Sequence, residues 1–334
     1  MFREASKAAD AVARQEGAAG DLKRLGAELR RRSPQIVITC ARGSSDHAAT
    51  FAKYAIETRV GIPTASAAPS VSSVYSSALQ ADGALCIAIS QSGRSPDLLA
   101  TVSSLKQAGA WVLALVNDTA SPLCEIADEV YGLAAGEERS IAATKSFIAS
   151  LSAVARLVAE WTEDARLAVD LHRLPALLEQ AWKCDWSPLV QALMDARDLY
   201  VLARGLGLGV AQEAALKLKE TSQLHAEAFS TAELRHGPMA LIGGGFPALM
   251  FSQCDPTSAL VEESASALVE RGARVFLAGG EAEGAISLPT VTSTALLEPI
   301  LQIQSFYRSA NALALARGLD PDNPPHLRKV TETL

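Results

Sequence analysis

The fold is indicated by a stretch that occurs twice, first as Ile36-Val37-Ile38-Thr39-Cys40-Ala41-Arg42-Gly43 and again as Asp198-Leu199-Tyr200-Val201-Leu202-Ala203-Arg204-Gly205. In both places an apolar run leads into Ala-Arg-Gly and then into an alanine-rich segment of helical period. We call the shift from position 36 to position 198 the repeat offset. It also relates Leu85–Gln91 to Pro247–Gln253, and a shift of one more residue relates Leu105–Ala110 to Leu268–Ala273. Three separate matches at nearly the same spacing predict two copies of one fold.

Within each copy, short apolar runs alternate with helical segments, as expected of parallel strands that are buried on both faces. The predicted strands are Ile36–Thr39, Leu85–Ser90, Val112–Val116, Val201–Ala203, Ala248–Ser252 and Val275–Ala278. We therefore expect an α/β protein with two tandem Rossmann-like domains, each a mostly parallel sheet flanked by helices. The predicted boundaries are an N-terminal helix over 1–32, a first domain over 33–160, linking helices over 161–196 in a stretch broken by Pro175, a second domain over 197–318 and a tail over 319–334.

The composition narrows the class of protein. The chain has 334 residues, 49% of them hydrophobic and 20% charged, with a net charge of −7, which is typical of a globular protein of two domains. Because no apolar run reaches the roughly 18 residues of a membrane span and the start Met1–Lys7 is charged, we expect a cytoplasmic protein.

The charge and the cysteines also limit the partners. The acidic balance argues against nucleic acid, and the short run Arg30-Arg31-Arg32 is expected at a helix C-terminus, where cations are favourable. The five cysteines (Cys40, Cys86, Cys124, Cys184 and Cys254) form no Cys-x-x-Cys pair. They predict small buried side chains rather than disulfides or a zinc site.

Two loops of the first copy are suited to bind a phosphate group. They are Gly43-Ser44-Ser45-Asp46 and Ser90-Gln91-Ser92-Gly93-Arg94-Ser95-Pro96, each following a predicted strand. Loops at the carboxyl ends of parallel strands offer backbone N–H groups and hydroxyls to an anion, although serines in such loops also simply cap helices. The second copy has Ser252-Gln253-Cys254-Asp255-Pro256 instead, where the carboxylate would repel phosphate. One phosphate site per chain, in the first copy, is the expectation.

The second copy carries candidate acid–base residues. Glu213, Lys217 and Glu220 share one face of a predicted helix, and His236 stands beside Gly237-Pro238. The helical charges also fit a solvated Glu–Lys pair, and a lone histidine is usually structural. Together, Glu220 and His236 would form an acid–base pair.

Six motifs occur in the order found in one family. They are Gly43-Ser44-Ser45, Ser90-Gln91-Ser92-Gly93, Ala142-Ala143-Thr144-Lys145, Ala214-Ala215-Leu216-Lys217-Leu218-Lys219-Glu220, Glu233-Leu234-Arg235-His236-Gly237-Pro238 and Ala316-Arg317-Gly318-Leu319-Asp320. From about residue 30 onward the chain resembles the double sugar isomerase (SIS) domains of glutamine–fructose-6-phosphate aminotransferase, also called glucosamine-6-phosphate synthase. The resemblance implies a homodimer that binds fructose 6-phosphate or glucosamine 6-phosphate.

The resemblance also implies roles for residues. Glu220 would move a proton between C1 and C2 of the sugar, Lys217 would contact the sugar oxygens, and His236 of the neighbouring subunit would assist ring opening. The implied substrate- and phosphate-binding positions are Gly43, Ser44, Ser45, Ser90, Gln91, Ser92, Ser95, Ala143 and Arg317. No metal and no organic cofactor is implied.

Three departures from the family pattern favour deamination over synthesis. Phe2 stands where the synthase has the nucleophilic cysteine of its glutaminase domain, and only about 30 residues precede the first sheet. We therefore expect that this chain alone does not take nitrogen from glutamine. Arg317 stands in for a lysine that forms an imine, which a guanidinium does not do, and Ala143 replaces a serine. The prediction is a phosphosugar isomerase and deaminase that converts glucosamine 6-phosphate to fructose 6-phosphate and ammonia, as in type II glucosamine-6-phosphate deaminases.

Three alternatives stay open at this point. The first is an isomerase, deaminase or deglycase that acts on another amino-sugar or fructosamine phosphate. The second is a non-catalytic sugar-phosphate sensor, and the third is a nicotinamide oxidoreductase. The last is disfavoured because Val210 falls where the third glycine of Gly-x-Gly-x-x-Gly is due. A DNA-binding sensor would need an additional helix-turn-helix domain, for which the short N-terminus leaves no room.

Overall fold

The computed structural model describes residues 1–329, so the end of the predicted tail lies outside the described residues. The chain divides into two compact units. One contains residues 10–138, 145–172 and 327–329, and the other contains residues 1–9, 139–144 and 173–326. We call them the first-copy unit and the second-copy unit, because each contains one copy of the repeat. The helix α9 (Ala165–Ala181) carries the chain across the boundary between them.

The first-copy unit is built on five strands. These are β1 (Val37–Cys40), β2 (Thr64–Ser66), β3 (Leu85–Ser90), β4 (Trp111–Val116) and β5 (Glu129–Gly132). Its helices are α2 (Ala8–Arg14), α3 (Ala19–Arg32), α4 (Ser44–Arg59), α5 (Pro69–Ser73), α6 (Pro96–Gln107), α7 (Pro122–Ile126) and α8 (Lys145–Thr162).

The second-copy unit repeats this plan. Its strands are β6 (Asp198–Ala203), β7 (His225–Ser230), β8 (Pro247–Phe251), β9 (Arg274–Ala278) and β10 (Ile286–Leu288). Its helices are α1 (Phe2–Ala5), α10 (Ser187–Leu193), α11 (Leu208–Ser222), α12 (Ser258–Glu270) and α13 (Glu298–Ala316).

The two sheets have the same topology, which confirms the predicted α/β fold and its duplication. The strand orders are β2-β1-β3-β4-β5 and β7-β6-β8-β9-β10, and every pairing is parallel. The register also repeats, since Ile38 pairs with Cys86 in one sheet and Tyr200 pairs with Ala248 in the other, and both pairs are related by the repeat offset. Equivalent positions of the two copies can therefore be compared residue by residue around these strands.

Each sheet is covered by helices on both faces, because its central strands are apolar on both sides. In the first-copy unit, Leu98 of α6 and Leu123 of α7 pack on one face together with Cys86 and Val112. Helix α4 packs along β1 to β3 and against α8, and α8 packs against α3. In the second-copy unit, α12 contributes Val261, Ala265 and Leu268 to the core, and α11 packs along β6 and β7 and against α13. These layers leave the loops at the strand ends available for function.

Two helical predictions were wrong. The segment 1–32 is not one helix but three, with a 3-10 turn at Gln15–Ala18 in a glycine-containing stretch that is unfavourable for a continuous helix. Pro175 does not break its segment and lies inside α9. Leu167, Leu171, Leu174 and Leu178 of that helix are all buried at helical spacing, and this packing outweighs the proline's cost of about 3 kcal/mol.

Other expectations had mixed outcomes. Helix α3 ends at Arg32 with its three arginines in the last turn, as predicted. The cysteines are buried at Cys40 and Cys86 but not at Cys254, which is exposed because it follows the end of β8 in a loop. Within residues 1–329, no helix is both long and apolar enough to cross a membrane.

Candidate active site

The serine loops of the first-copy unit lie side by side at the carboxyl end of its sheet. The Gly43 turn follows β1 and the Ser90–Ser95 loop follows β3, and β1 and β3 are paired parallel neighbours. The chain leaves β1 toward β2 and leaves β3 toward β4, in opposite directions along the sheet. This is the topological switch point, where open α/β sheets bind their ligands.

The loop after β3 is shaped around a hydroxyl and a glycine. The backbone N–H of Gly93 donates to Ser90 Oγ at 2.9 Å, and that of Arg94 lies 3.4 Å from Ser92 Oγ. Gly93 has φ +62°, and any β-carbon there would collide with the side chain of Ser121. Glycine is therefore required for this turn, which folds the backbone tightly behind the serines.

Simple helix capping does not account for these serines. Ser95 occupies the N-cap position of α6, yet its side chain makes no capping hydrogen bond. At the start of α4 the N-cap is Gly43 with φ +56°, so Ser44 and Ser45 lie within the first turn of the helix. Ser45, Gln91, Ser92 and Ser95 are all partly exposed rather than buried in the core. The arrangement fits anion binding better than capping.

The second-copy unit has filled the equivalent place with its own side chains. Gln253 Nε2 donates to the carbonyl of Arg204 at 2.8 Å, to Thr257 Oγ1 at 2.8 Å and to Asp255 Oδ2 at 3.1 Å. The amide thereby connects the loop after β8 with the turn after β6, where a β-carbon at Gly207 would lie 2.7 Å from Gln253 Oε1. These loops are closed by protein atoms and by the carboxylate of Asp255.

A buried array of charges lies on α11 of the second-copy unit. Lys217 and Glu213 have fully buried side chains, while that of Glu220 is 16% exposed. Lys217 Nζ forms an ion pair with Glu220 and lies 3.5 Å from Glu213 Oε1, and the hydroxyl of Tyr307 on α13 donates to the same Glu213 oxygen at 3.1 Å. The solvated ion pair considered above is therefore excluded. The array holds one carboxylate, that of Glu220, where it is partly accessible.

The first copy shows that the fold does not need these charges. At the positions related by the repeat offset, α4 carries Phe51 in place of Glu213, Ala55 in place of Lys217 and Thr58 in place of Glu220. Phe51 and Ala55 are fully buried. Burying charged side chains costs free energy because they lose their hydration. The charged face of α11, where α4 has an apolar one, therefore points to a function rather than to a gain in stability.

Comparison with known proteins identifies the family. The sequence profile of the SIS domain matches residues 29–159 and 192–287, one segment in each copy. The chain belongs to the SIS domain family. It is 34% identical over 318 residues to the glutamine–fructose-6-phosphate aminotransferase (isomerizing) of Gluconobacter oxydans, an alignment that covers 89% of this chain and 51% of that enzyme. The chain thus spans about half the length of the curated relatives that it matches.

Solved structures of SIS proteins are similar over nearly the whole chain. A Silicibacter pomeroyi protein described provisionally as a phosphosugar isomerase is 44% identical, with a TM-score of 0.92 and coverage of 96% of this chain and 98% of that one. The C-terminal domain of glucosamine–fructose-6-phosphate aminotransferase from Francisella tularensis is 25% identical, with a TM-score of 0.86 and coverage of 97% and 98%. The Thermotoga maritima glucosamine-6-phosphate deaminase, at 24% identity and a TM-score of 0.76, shares the fold.

The remaining predicted residues of the site lie in different surroundings. His236 is exposed at the end of a 3-10 turn (Glu233–His236), which is anchored by the buried Leu234. Ala143 is partly buried in the segment before α8. Arg317 ends α13, and its Nη1 donates to the carbonyls of Leu193, Met194 and Ala196 at 2.8–3.0 Å. These bonds cap the end of α10 and give the Arg317 side chain a structural role in place of the predicted substrate contact.

Two features of the site were missed at the level of sequence. Tyr307 is 94 residues from Glu213 in the chain, and no local pattern connects them. The sequence also did not indicate that Gln253 fills the loops of the second copy, because both copies have glutamine at this position, as Gln91 and Gln253. The change from Gly93 to Asp255 was the available signal, since it provides the acceptor that Gln253 binds.

Proposed function

We propose that this SIS protein is a phosphosugar isomerase and deaminase that converts glucosamine 6-phosphate and water to fructose 6-phosphate and ammonia. The observation that carries the proposal is the buried Glu213–Lys217–Glu220 array. The first copy has Phe51, Ala55 and Thr58 at the corresponding positions, of which Phe51 and Ala55 are apolar and buried. Further support comes from the Gluconobacter relative, whose name specifies fructose 6-phosphate and an isomerising reaction.

The first-copy unit binds the phosphate group. Ser45, Ser90, Gln91, Ser92 and Ser95, with the backbone N–H groups of the two loops, donate to its oxygens. The tight turn at Gly93 orders this loop before the substrate arrives. Such preorganisation lowers the entropic cost of binding.

The second-copy unit supplies the proton transfer. After ring opening, the Glu220 carboxylate takes the proton from C2 of the open-chain aldehyde and returns it to C1, which moves the double bond and gives the imine of the ketose. Lys217 is fully buried and holds Glu220 in place through its ion pair, so it acts through Glu220 rather than by the predicted contact with the sugar oxygens. Water then adds to C2 and the C–N bond breaks, releasing ammonia and fructose 6-phosphate. In this direction only the sugar phosphate and water are consumed.

His236 assists ring opening from the other subunit of a homodimer. Its exposure on a surface turn, close in sequence to the exposed Leu241, fits a residue that acts on a neighbour. Mixing two inactive variants, Glu220→Gln and His236→Ala, tests this arrangement. Activity that returns after subunit exchange supports action across the interface, and two inactive variants that stay inactive after proven exchange contradict it.

The direct test incubates the protein with glucosamine 6-phosphate and measures ammonia and fructose 6-phosphate. We expect both products in equal amounts. Galactosamine 6-phosphate, N-acetylated hexosamine phosphates and fructosamine phosphates form the comparison panel. If the protein binds phosphosugars but releases no ammonia from any of them, the result contradicts the proposed deaminase and favours a non-catalytic sugar-phosphate sensor.

A further inference from the structure

An arginine outside the predicted site stands at the carboxyl end of β1. Arg42 lies between β1 and the Gly43 turn, and both its Nε and its Nη2 donate to Asp97 Oδ2, at 2.7 and 2.6 Å. The Asp97 side chain is fully buried, while that of Arg42 is 49% exposed. Asp97 therefore fixes one edge of the guanidinium, and the other edge, with Nη1, is directed away from this pair.

The two partners of this ion pair lie next to the two serine loops in the chain. Asp97 is the second residue of α6, two positions after Ser95, and Arg42 directly precedes Gly43. The ion pair thus joins the start of α6 to the turn before α4. Arg42 also acts electrostatically on Asp46 in the first turn of α4, where burial raises the pKa of the carboxyl group and the Arg42 charge opposes that rise.

The second copy argues against a purely structural role for the pair. Arg204 is related to Arg42 by the repeat offset, but Ala259 stands at the position that corresponds to Asp97. The same fold is therefore built without the Arg–Asp pair in the copy whose loops are closed by Gln253. The pair occurs only where the loops are suited to an anion.

We propose that Arg42 binds the phosphate group of the sugar substrate and that Asp97 is the positioning residue that orients it. The inference rests on the proposed phosphate-binding role of the first-copy unit. A guanidinium held along one edge presents its remaining N–H groups to phosphate oxygens, and such charge-assisted bonds are among the strongest in proteins. Arg94 of the loop after β3 is already paired with Asp118 at 2.8 Å. Arg42 thereby supplies a second cation, at the carboxyl end of β1.

Binding measurements test the proposal without relying on turnover. Calorimetry with fructose 6-phosphate and with inorganic phosphate compares the wild type with Arg42→Gln and with Arg204→Gln, which removes the same charge from the matching position of the other copy. We expect Arg42→Gln to weaken both probes by about 10- to 100-fold, which is the effect of losing a charge-assisted contact. Arg204→Gln should stay within about twofold of the wild type.

Arg42→Gln removes the cation beside the buried Asp97, so the variant is at risk of misfolding. The double variant Arg42→Gln with Asp97→Asn removes both charges and should fold, as judged by circular dichroism, while still losing affinity. A folded double variant with wild-type affinity for both probes overturns the proposal, and so does an equal loss in Arg204→Gln. A wild type that binds neither probe overturns it as well, whereas a wild type that binds but releases no ammonia overturns only the deaminase function.

Discussion

The two copies in this chain share strand order and register, and they differ in what lies at the strand ends and on one helix face. The first copy has open serine loops and an apolar face on α4, whereas the second has loops closed by Gln253 and a charged face on α11. The same sheet therefore forms with either set of loops and helix faces, and the two copies differ in the side chains that they place there. This difference is the basis on which we propose phosphate binding for the first copy and proton transfer for the second.

The largest effect is expected from Glu220→Gln. The amide keeps the size of the side chain but cannot accept the C2 proton, so kcat should fall by about 10²- to 10⁴-fold while phosphosugar binding persists. Steady-state kinetics and calorimetry on the same preparation measure the two properties. Glu270→Gln, at the exposed end of α12, is the matched control and should behave as the wild type.

Lys217→Met tests the energetic cost of the second copy's charges. Removing the lysine takes the cation away from the buried Glu213, and the free energy of unfolding should fall by about 3–5 kcal/mol. Denaturant unfolding measures the change, with Lys219→Met on the exposed side of α11 as control. A variant as stable as the wild type would show that the array is not held together by its charges.

Ser90→Ala with Ser92→Ala should raise KM for the sugar phosphate by about 10-fold, with a smaller change in kcat. The matched control is Ser252→Ala, which changes the residue of the second copy that corresponds to Ser90. Ser252 Oγ is buried and has no hydrogen-bond partner among residues 1–329, so its removal should leave KM unchanged. Equal shifts in both variants would remove the distinction between the loops.

The smallest effect is expected from Asp46→Asn, at a position that is Leu208 in the second copy. Burial raises the folded-state pKa of Asp46 above its unfolded value, so folding favours the protonated carboxyl group and its ionisation at higher pH costs stability. The variant should be slightly more stable than the wild type at pH 7, with the difference vanishing below about pH 4. Thermal unfolding across this pH range measures it, and a less stable variant at pH 7 contradicts the interpretation.

The inner strands were predictable and the edge strands were not. β1, β3, β4, β6, β8 and β9 were predicted from their apolar runs, because they are buried on both faces. The missed strands, β2, β5, β7 and β10, are the outermost strands of the two sheets. Three are only three or four residues long, and the fourth, β7, is largely half-exposed, so neither a long apolar run nor clean alternation marks them.

The candidate site divides in a similar way. Ser90 with its loop, and Lys217 with Glu220, were predicted from motifs, because each motif is a short continuous stretch of sequence. The burial of Lys217, the Tyr307 contact and the Arg42–Asp97 pair depend on elements that are distant in the chain. Arg42 and Asp97 are 55 positions apart, and Glu213 and Tyr307 are 94 positions apart. Only the packed structure brings such residues together, and the second copy then shows which of these pairings the fold itself does not require.

The division of labour between the copies is tested most directly by measuring kcat and KM for glucosamine 6-phosphate side by side in Glu220→Gln and in the Ser90→Ala, Ser92→Ala double variant. The account predicts that the second-copy variant loses kcat while still binding the substrate, and that the first-copy variant mainly raises KM. Both variants changing the same parameter to the same extent would contradict it.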